Sequence, residues 1–190
     1  MRIGVDIGGT KIVAGIVDGS GRVLERQRIP TDPAGGYDDV LRRICSLIGG
    51  LIDLAGGPSA VDLIGIASAG QIRMGSGIIA FSPNLGWHNV PIRQDIESRF
   101  NIRTVIENDV NAATYGEWRC TLSGKPDVAL GIFVGTGIGG GIIIDGRLFT
   151  GFSHVGAEIG HMVVNPYGYR CSCGNTGCFE AYCGGAYFTA

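Results

Sequence analysis

One histidine and three cysteines near the end of the chain have types and a spacing that suit a metal ion. They form the pattern H-x9-C-x-C-x4-C and are His161, Cys171, Cys173 and Cys178. Thiolates and an imidazole in this number favour a closed tetrahedral Zn²⁺ site. Gly174 and Gly177, which lie between the last two cysteines, let the backbone fold tightly around an ion. Cys183 is a rival fourth ligand. The alternative is a set of buried free thiols without a metal.

Two short segments far apart in the chain repeat a pattern that suits phosphate. Gly8-Gly9-Thr10 and Gly135-Thr136-Gly137 each join two apolar strands, and in both cases the second strand ends at Asp-Gly. Backbone N–H groups in such a turn can point at an anion because no Cβ blocks its approach. Two such turns suggest that one polyphosphate is bound from two sides. Only the first segment carries an acid, because Asp6 corresponds to Phe133 in the second. This asymmetry suits a carboxylate on one side that is linked to Mg²⁺. The alternative is a pair of ordinary hairpins.

The second of these turns also matches the pattern G-x-G-x-x-G, from Gly135 to Gly140. A dinucleotide fingerprint requires a helix directly after that loop. Here the apolar run from Gly141 to Ile144 predicts a strand instead, so we do not expect a dinucleotide site.

A cluster of polar residues lies at a predicted junction between a strand and a helix. It comprises Glu107, Asn108 and Asp109. Ligands of α/β sheets bind at the carboxyl ends of strands, and a carboxylate there can accept a proton from a substrate hydroxyl. The alternative role is structural, because Asn and Asp are preferred helix N-caps.

Two further segments carry groups that are typical of sugar sites. Glu158 precedes His161 by three residues, and Asn84 stands near Trp87. Carboxylates and amides, often beside an aromatic face, bind sugar hydroxyls. Either segment alone is equally compatible with an ordinary loop.

The periodicity of apolar residues predicts the elements that carry these groups. The first half is predicted as βββαβαβα, with strands at 2–7, 11–17, 23–28, 61–67 and 103–106 and helices at 37–54, 91–100 and 108–119. This order indicates an α/β fold with a mixed sheet. The Gly-rich and polar segment 68–88 is predicted as a binding loop. A break at 125–127 divides the chain into predicted domains 1–122 and 123–190, the second of which is incomplete.

Composition excludes several classes of protein. The 190 residues carry a formal net charge of −2 without a basic stripe, so we expect no nucleic-acid partner. The uncharged run 128–144 is too short and too rich in glycine for a membrane helix. Six cysteines are too few for a disulfide scaffold, and Met1 leads directly into a predicted strand. We therefore expect a cytoplasmic protein with reduced thiols.

Together, these motifs resemble the ROK family of sugar kinases and repressors. The matching segments are 6–11, 107–111, 135–141, 156–161 and 171–180. The resemblance spans the chain in the family's order. It implies the actin/hexokinase-like (ribonuclease H-like) ATPase fold, ATP with Mg²⁺, and a structural Zn²⁺.

The resemblance also implies residue roles, with Asp109 as the catalytic base. The implied sugar contacts are Asn84, Asn108, Asp109, Glu158, His161 and Glu180. The implied phosphate-side residues are Asp6, Gly8, Gly9, Thr10, Lys11, Thr136 and Gly137. The implied zinc ligands are His161, Cys171, Cys173 and Cys178, which makes Cys183 the weaker candidate.

The expected reaction of the parent protein is transfer of the γ-phosphoryl group of ATP to a hexose hydroxyl, foremost O6 of glucose. Other hexoses stay open, including N-acetylmannosamine, N-acetylglucosamine, allose and fructose. The alternatives from other classes are a sugar-responsive transcriptional regulator and a non-catalytic sugar-binding fragment. The segment 68–70 replaces the Pro-Gly turn that is more usual in the family.

The resemblance further implies that the chain is an N-terminal portion, because family members continue well past the cysteine segment. The missing part would hold most of the adenosine pocket and the helices that cover the second sheet. We therefore expect the isolated chain to bind hexose weakly, to lack MgATP affinity and turnover, and to self-associate. A homo-oligomer, specifically a dimer, is expected for the protein.

Overall fold

A computed structural model describes residues 1–73 and 75–188 of the chain. These residues form two compact units, Met1–Asp109 and a second unit that begins at Val110. The predicted domain boundary after residue 122 lies further along the chain than this division. The assignment of domains 1–122 and 123–190 stays a prediction.

The first unit contains a five-stranded mixed sheet with the order β3-β2-β1-β4-β8. Its strands are β1 (Arg2–Ile7), β2 (Lys11–Val17), β3 (Val23–Pro30), β4 (Leu63–Ser68) and β8 (Thr104–Asn108). The pairs β1–β2 and β2–β3 are antiparallel, whereas β1–β4 and β4–β8 are parallel. The predicted mixed sheet is therefore present.

Helices α1 (Gly36–Leu54) and α2 (Ile92–Phe100) share one apolar core with this sheet. Strand β1 buries Ile3, Val5 and Ile7, which alternate along the strand because successive side chains point to opposite faces. Helix α1 buries residues at helical spacing, namely Val40, Ile44, Leu47, Ile48, Leu51 and Ile52.

Within the described ranges, none of the helices combines the length and the hydropathy that a bilayer crossing demands.

The segment predicted as a binding loop, 68–88, instead contains most of a second sheet, so that prediction was wrong. Strands β5 (Gln71–Arg73), β6 (Ile78–Ser82) and β7 (Trp87–Val90) pair antiparallel in the order β5-β6-β7. The predicted order βββαβαβα therefore holds for the elements of the main sheet and its helices, with three additional strands inserted between β4 and α2.

The second unit contains a three-stranded antiparallel sheet with the order β11-β10-β9. Its elements are β9 (Val128–Val134), β10 (Ile138–Ile144), β11 (Arg147–Leu148), α4 (Glu180–Cys183) and α5 (Gly185–Phe188). Helix α3 (Asp109–Gly116) joins the two units in sequence and continues into a π-helical turn, Glu117–Thr121. Alternate apolar side chains of β9 are each more than half exposed, namely Val128, Leu130, Ile132 and Val134.

The two Asp-Gly turns of the repeat differ in conformation. Asp145 and Gly146 both have positive φ, which is the geometry of a two-residue type I′ hairpin between β10 and β11. The first turn is longer, because the Asp18 N–H donates to the carbonyl of Arg22 at 3.0 Å and Gly21 takes the positive φ.

The Asp18 carboxylate supports a pH prediction for this first turn. It accepts hydrogen bonds from the Ser20 hydroxyl at 2.6 Å and the Arg22 N–H at 3.0 Å, and these lower the pKa of Asp18 to about 2. Since the pKa of Asp18 is lower in the folded protein, folding favours the ionised carboxylate. The contribution of this carboxylate to the free energy of unfolding is therefore complete above the ordinary pKa of 3.8 and is lost as the pH falls towards 2. We expect Asp18→Asn to remove this pH dependence of stability, which urea midpoints at about pH 5 and about pH 3 measure. If the midpoint fell equally between these pH values in the wild type and the variant, the prediction would be contradicted.

Candidate functional site

The carboxyl ends of β1, β4 and β8 lie at one edge of the first unit's sheet, because these three strands are parallel neighbours. Asp6 on β1 pairs with Ala67 on β4, which in turn pairs with Glu107 on β8. Asn108 ends β8, and Asp109 begins α3 immediately afterwards. Three residues predicted for the site, Asp6, Asn108 and Asp109, therefore share the edge at which α/β sheets bind ligands.

The carboxyl groups of Asp6 and Asp109 are close enough to influence each other. The side chain of Asp6 remains accessible to solvent, but partial desolvation by the surrounding atoms raises its pKa. The negative charge of Asp109 raises it further, whereas Lys11 and Arg26 act in the opposite direction. A divalent cation prefers oxygen ligands and would relieve this repulsion. The edge therefore offers carboxylate oxygens of the kind that a divalent cation binds.

The first Gly/Thr turn is held by Thr31, a residue that the sequence analysis missed. The Thr31 hydroxyl donates to the carbonyl of Gly8 at 2.6 Å, and its N–H donates to the carbonyl of Thr10 at 3.2 Å. Within the turn, the Gly8 N–H donates to the carbonyl of Lys11 at 3.0 Å. Thr31 is fully buried. These hydrogen bonds from a buried residue hold the turn in a defined conformation.

Removing the Thr31 hydroxyl should weaken this turn. Thr31→Val keeps the side-chain shape but leaves the carbonyl of Gly8 without its buried donor, so we expect a loss of about 1–2 kcal/mol in the free energy of unfolding. Urea denaturation measures this loss. Thr31→Ser retains the hydroxyl and serves as the control. A stability of Thr31→Val equal to that of the wild type would show that the bond contributes nothing.

Asn84 is seated directly on the first Gly/Thr turn. It lies in the exposed turn between β6 and β7. A Cβ atom added at Gly9 would lie 3.1 Å from the Asn84 Cβ and 3.1 Å from its carbonyl oxygen. Glycine at this position therefore allows the amide-bearing turn to approach the phosphate-side turn of the same unit.

Trp87 does not offer an aromatic face to a ligand, which corrects the expectation from sequence. Its side chain is only 2% exposed. It packs edge-on against Tyr37 with ring centroids 5.2 Å apart. Its role is therefore in the core beneath the turn that carries Asn84.

Asn108, at the end of β8, donates from Nδ2 to the carbonyl of Gly70 at 3.3 Å.

In the second unit, the turn that contains Thr136 and Gly137 joins β9 to β10. The Gly135 N–H donates to the carbonyl of Gly137 at 2.9 Å. The N–H of Ile138, the residue after Gly137, donates to Oε2 of the buried Glu180 at 2.7 Å. A Cβ atom at Gly137 would collide with the same carboxylate oxygen. Glu180 therefore packs against this turn.

The predicted metal ligands come together in the second unit. The ligand atoms of His161, Cys171, Cys173 and Cys178 all lie within 4.8 Å of one another. The Sγ atoms of Cys173 and Cys178 are 3.6 Å apart, and His161 Nδ1 lies 3.7 Å from Cys171 Sγ. Ligands of a tetrahedral site with Zn–S bonds near 2.3 Å would be roughly 3.8 Å apart. The donor set and its spacing therefore fit Zn²⁺.

The thiols of this group differ in acidity. Burial alone would raise the pKa of Cys171, but hydrogen bonds that involve Cys173, Tyr187 and His161 lower it to about 6. Burial raises the pKa of Cys178 to about 12, and the neighbouring Cys173 and Cys171 add to this effect. Crowded thiols thus resist ionising together, and a bound cation would stabilise the thiolates that a metal requires.

Glu158 and His161 share one short 3-10 turn, in which the His161 N–H donates to the carbonyl of Glu158 at 3.0 Å. Glu158 is exposed and His161 is partly buried in the cysteine group. The structure therefore groups the predicted sugar contacts by unit. Asn84, Asn108 and Asp109 belong to the first unit, and Glu158, His161 and Glu180 belong to the second.

The mixed sheet and its solved neighbours assign the chain to the actin/hexokinase-like fold class. Within that class the chain belongs to the ROK family, whose model matches residues 2–190.

Comparison with known proteins gives high similarity to sugar kinases. The chain is 41% identical to a glucokinase from Thermotoga maritima over 180 residues, which are 94% of this chain and 56% of that protein. It is 36% identical to an N-acetylmannosamine kinase from Citrobacter koseri, over 96% of this chain and 61% of that protein. A ROK family glucokinase from Streptomyces griseus, solved in complex with glucose and AMPPNP, superposes with a TM-score of 0.84 at 40% identity. The superposition covers 98% of this chain and 58% of that one. The chain thus spans little more than half the length of the relatives that it matches.

Proposed function

We propose that the protein to which this chain belongs transfers the γ-phosphoryl group of ATP to a hydroxyl of a hexose. The observation that carries the proposal is the carboxylate edge of the first sheet, where Asp109 follows β8 and Asp6 lies on the parallel strand β1. Similarity to the glucokinase from Thermotoga maritima and to the Streptomyces griseus complex with glucose and AMPPNP supports the same reaction.

In this proposal Asp109 is the general base. Its carboxylate accepts the proton of the substrate hydroxyl as that oxygen attacks the γ-phosphorus in line, and the bond from the γ-phosphorus to the β,γ-bridging oxygen breaks to release ADP. Asp6 would hold Mg²⁺, which would supply positive charge for the phosphates when bound. Most of the rate enhancement in such transfers comes from positioning and electrostatic stabilisation.

The Gly/Thr turns are proposed to bind phosphate through backbone N–H groups. The phosphate-side residues of the proposal are Asp6, Gly8, Gly9, Thr10, Lys11, Thr136 and Gly137. The hydrogen bonds of Thr31 to the first turn and of Glu180 to the second support this assignment, because they order the backbone of both turns and an ordered turn loses little entropy on binding.

Glucose, phosphorylated at O6, is the proposed substrate. Its proposed contacts are Asn84, Asn108, Asp109, Glu158, His161 and Glu180. Zn²⁺ held by His161 and the three cysteines would have a structural role, ordering the segment that carries Glu158 and Glu180. N-acetylmannosamine is the second candidate, which the similarity to the Citrobacter koseri kinase favours. A homodimer in the cytoplasm, without nucleic-acid or membrane partners, stays a prediction from the sequence.

A coupled assay of ADP release over a panel of hexoses tests the proposal with the full-length protein. We expect the highest kcat/KM with glucose and MgATP. A preference for N-acetylmannosamine would transfer the assignment to the second candidate. Sugar binding without phosphoryl transfer to any hexose would reject the kinase function and favour a sugar-responsive regulator or binding protein.

A further inference from the structure

The segment from Glu180 to Tyr187, here called the linking segment, contacts both the cysteine group and the Gly135–Gly137 turn. It comprises helix α4, Gly184 and the part of α5 up to Tyr187. Residues at both of its ends make hydrogen bonds outside the segment. Both the cysteine group and the turn belong to the second unit.

Three hydrogen bonds attach the linking segment to the turn. Glu180 Oε2 accepts from the Ile138 N–H at 2.7 Å. The N–H groups of Gly185 and Ala186 donate to the carbonyls of Gly135 and Thr136 at 2.8 Å and 2.9 Å. The backbone of the turn is thus bonded on both its donor side and its acceptor side.

The other contacts of the linking segment lead to the cysteine group. The Ser172 N–H, beside Cys171, donates to the Tyr187 hydroxyl at 2.8 Å. Tyr187 and Tyr182 pack against a small core of Cys171, Cys178 and Ala181. Glu180 Oε1 lies 4.0 Å from Cys171 Sγ. The Glu180 side chain therefore contacts both the turn and the cysteine group, whereas the Tyr187 side chain contacts the cysteine group directly after Gly185 and Ala186, whose backbone holds the turn.

The linking segment approaches the turn closely at two glycines. A Cβ atom at Gly185 would lie 2.6 Å from the carbonyl oxygen of Gly135. One at Gly184 would lie 3.3 Å from the carbonyl oxygen of Thr136. Glycine at both positions permits this close backbone approach. The backbones of the linking segment and the turn therefore pack directly against each other.

We propose that Glu180 and Tyr187 are positioning residues that couple the order of the Gly135–Gly137 turn to metal binding at the cysteine group. Loss of the metal ion then loosens the linking segment and, with it, the turn. The first Gly/Thr turn has no such dependence, because the buried Thr31 holds it within the first unit. That the second turn contacts phosphate rests on the proposed function; the coupling itself does not.

Residue-resolved hydrogen–deuterium exchange on the full-length protein tests the coupling without sugar or nucleotide. Removing the metal with a chelator should accelerate exchange of the Ile138 amide at least about tenfold, the effect of losing a charge-assisted hydrogen bond, and exchange of the Ala186 amide about fivefold, the effect of losing a neutral one. The Gly8 amide, which donates to Lys11, is the internal control and should keep its rate. Equal acceleration at Gly8 would indicate general unfolding and overturn the proposal.

Two variants test the positioning residues in the metal-loaded protein. Tyr187→Phe removes the acceptor for Ser172 and should accelerate exchange at Ala186 with the metal still bound. Glu180→Ala should do the same at Ile138, whereas Glu180→Gln retains an amide oxygen as acceptor and should restore most of the protection. Unchanged exchange at both amides in Tyr187→Phe and Glu180→Ala would overturn the proposal.

A nucleotide titration separates this inference from the proposed function. If both hold, Tyr187→Phe should raise the Kd for MgATP more than the Kd for glucose. If exchange responds to the metal but the wild type binds no nucleotide, the coupling stands and the kinase function fails. If the wild type phosphorylates hexose but exchange at Ile138 ignores the metal, the kinase function stands and the coupling fails.

Discussion

Asp109→Asn in the full-length protein is expected to lower kcat for hexose phosphorylation by about 10²–10⁴-fold, the usual contribution of a positioned general base. The amide keeps the shape of the side chain but cannot accept the hydroxyl proton. Sugar affinity should change little, because Asn still forms hydrogen bonds to hydroxyl groups. Initial rates in a coupled assay, with calorimetry for sugar binding, measure both quantities.

Asp53→Asn is a matched control for the loss of one carboxylate. Asp53 is exposed on α1, outside the proposed site, and its variant should retain the wild-type kcat. The assignment of Asp109 is wrong if Asp109→Asn keeps more than about a tenth of the wild-type kcat.

Cys171→Ser is expected to abolish binding of Zn²⁺ and to unfold the segment 167–180 locally. A structural zinc site contributes about 10 kcal/mol or more to the order of the residues that bind it, and the serine hydroxyl is a poor substitute for a thiolate. Sugar binding should weaken in consequence, through Glu158 and Glu180. Metal content by mass spectrometry and proteolysis of the segment are the measurements.

Cys120→Ser is the control for this substitution, because Cys120 is an exposed free cysteine outside the group. Its variant should keep one equivalent of metal. Metal content near zero in wild-type protein that was purified without a chelator would contradict the zinc site. Loss of metal in Cys183→Ser would instead identify Cys183 as a ligand.

Much of the main sheet could be predicted from the sequence, because its strands have strong side-chain periodicity. Ile3, Val5 and Ile7 alternate with less buried positions, and the buried residues of α1 recur at helical spacing. Such patterns reflect burial on one face of an element and need no tertiary information. The elements βββαβαβ of the first unit were recognisable for this reason.

The small sheet between β4 and α2 could not be predicted in the same way. Strand β5 has three residues and β7 has four, too few for periodicity to appear. The glycines of this segment also suggest loops, yet Gly77 takes its positive φ in the connection between the paired strands β5 and β6. Pairing between short strands is a tertiary property, because each one is stabilised only by its neighbours.

The candidate site shows the same limit. The metal group was predictable because its ligands are close in sequence and of distinctive types. Thr31 was missed because a threonine between Pro30 and Asp32 has the composition of an ordinary turn. Trp87 was misassigned because the sequence does not show which way its ring points, and it packs against Tyr37 in the core.

The close approach of Gly9 to Asn84 restricts how sugar preference could be redesigned. Turns such as 83–86 are attractive places to exchange loops between related enzymes, but this one rests with its own backbone on another turn. A transplanted loop would have to reproduce the path of the main chain at position 84, and not only the side chain there. Libraries that vary side chains on the existing backbone should therefore yield more folded variants than libraries of inserted loops.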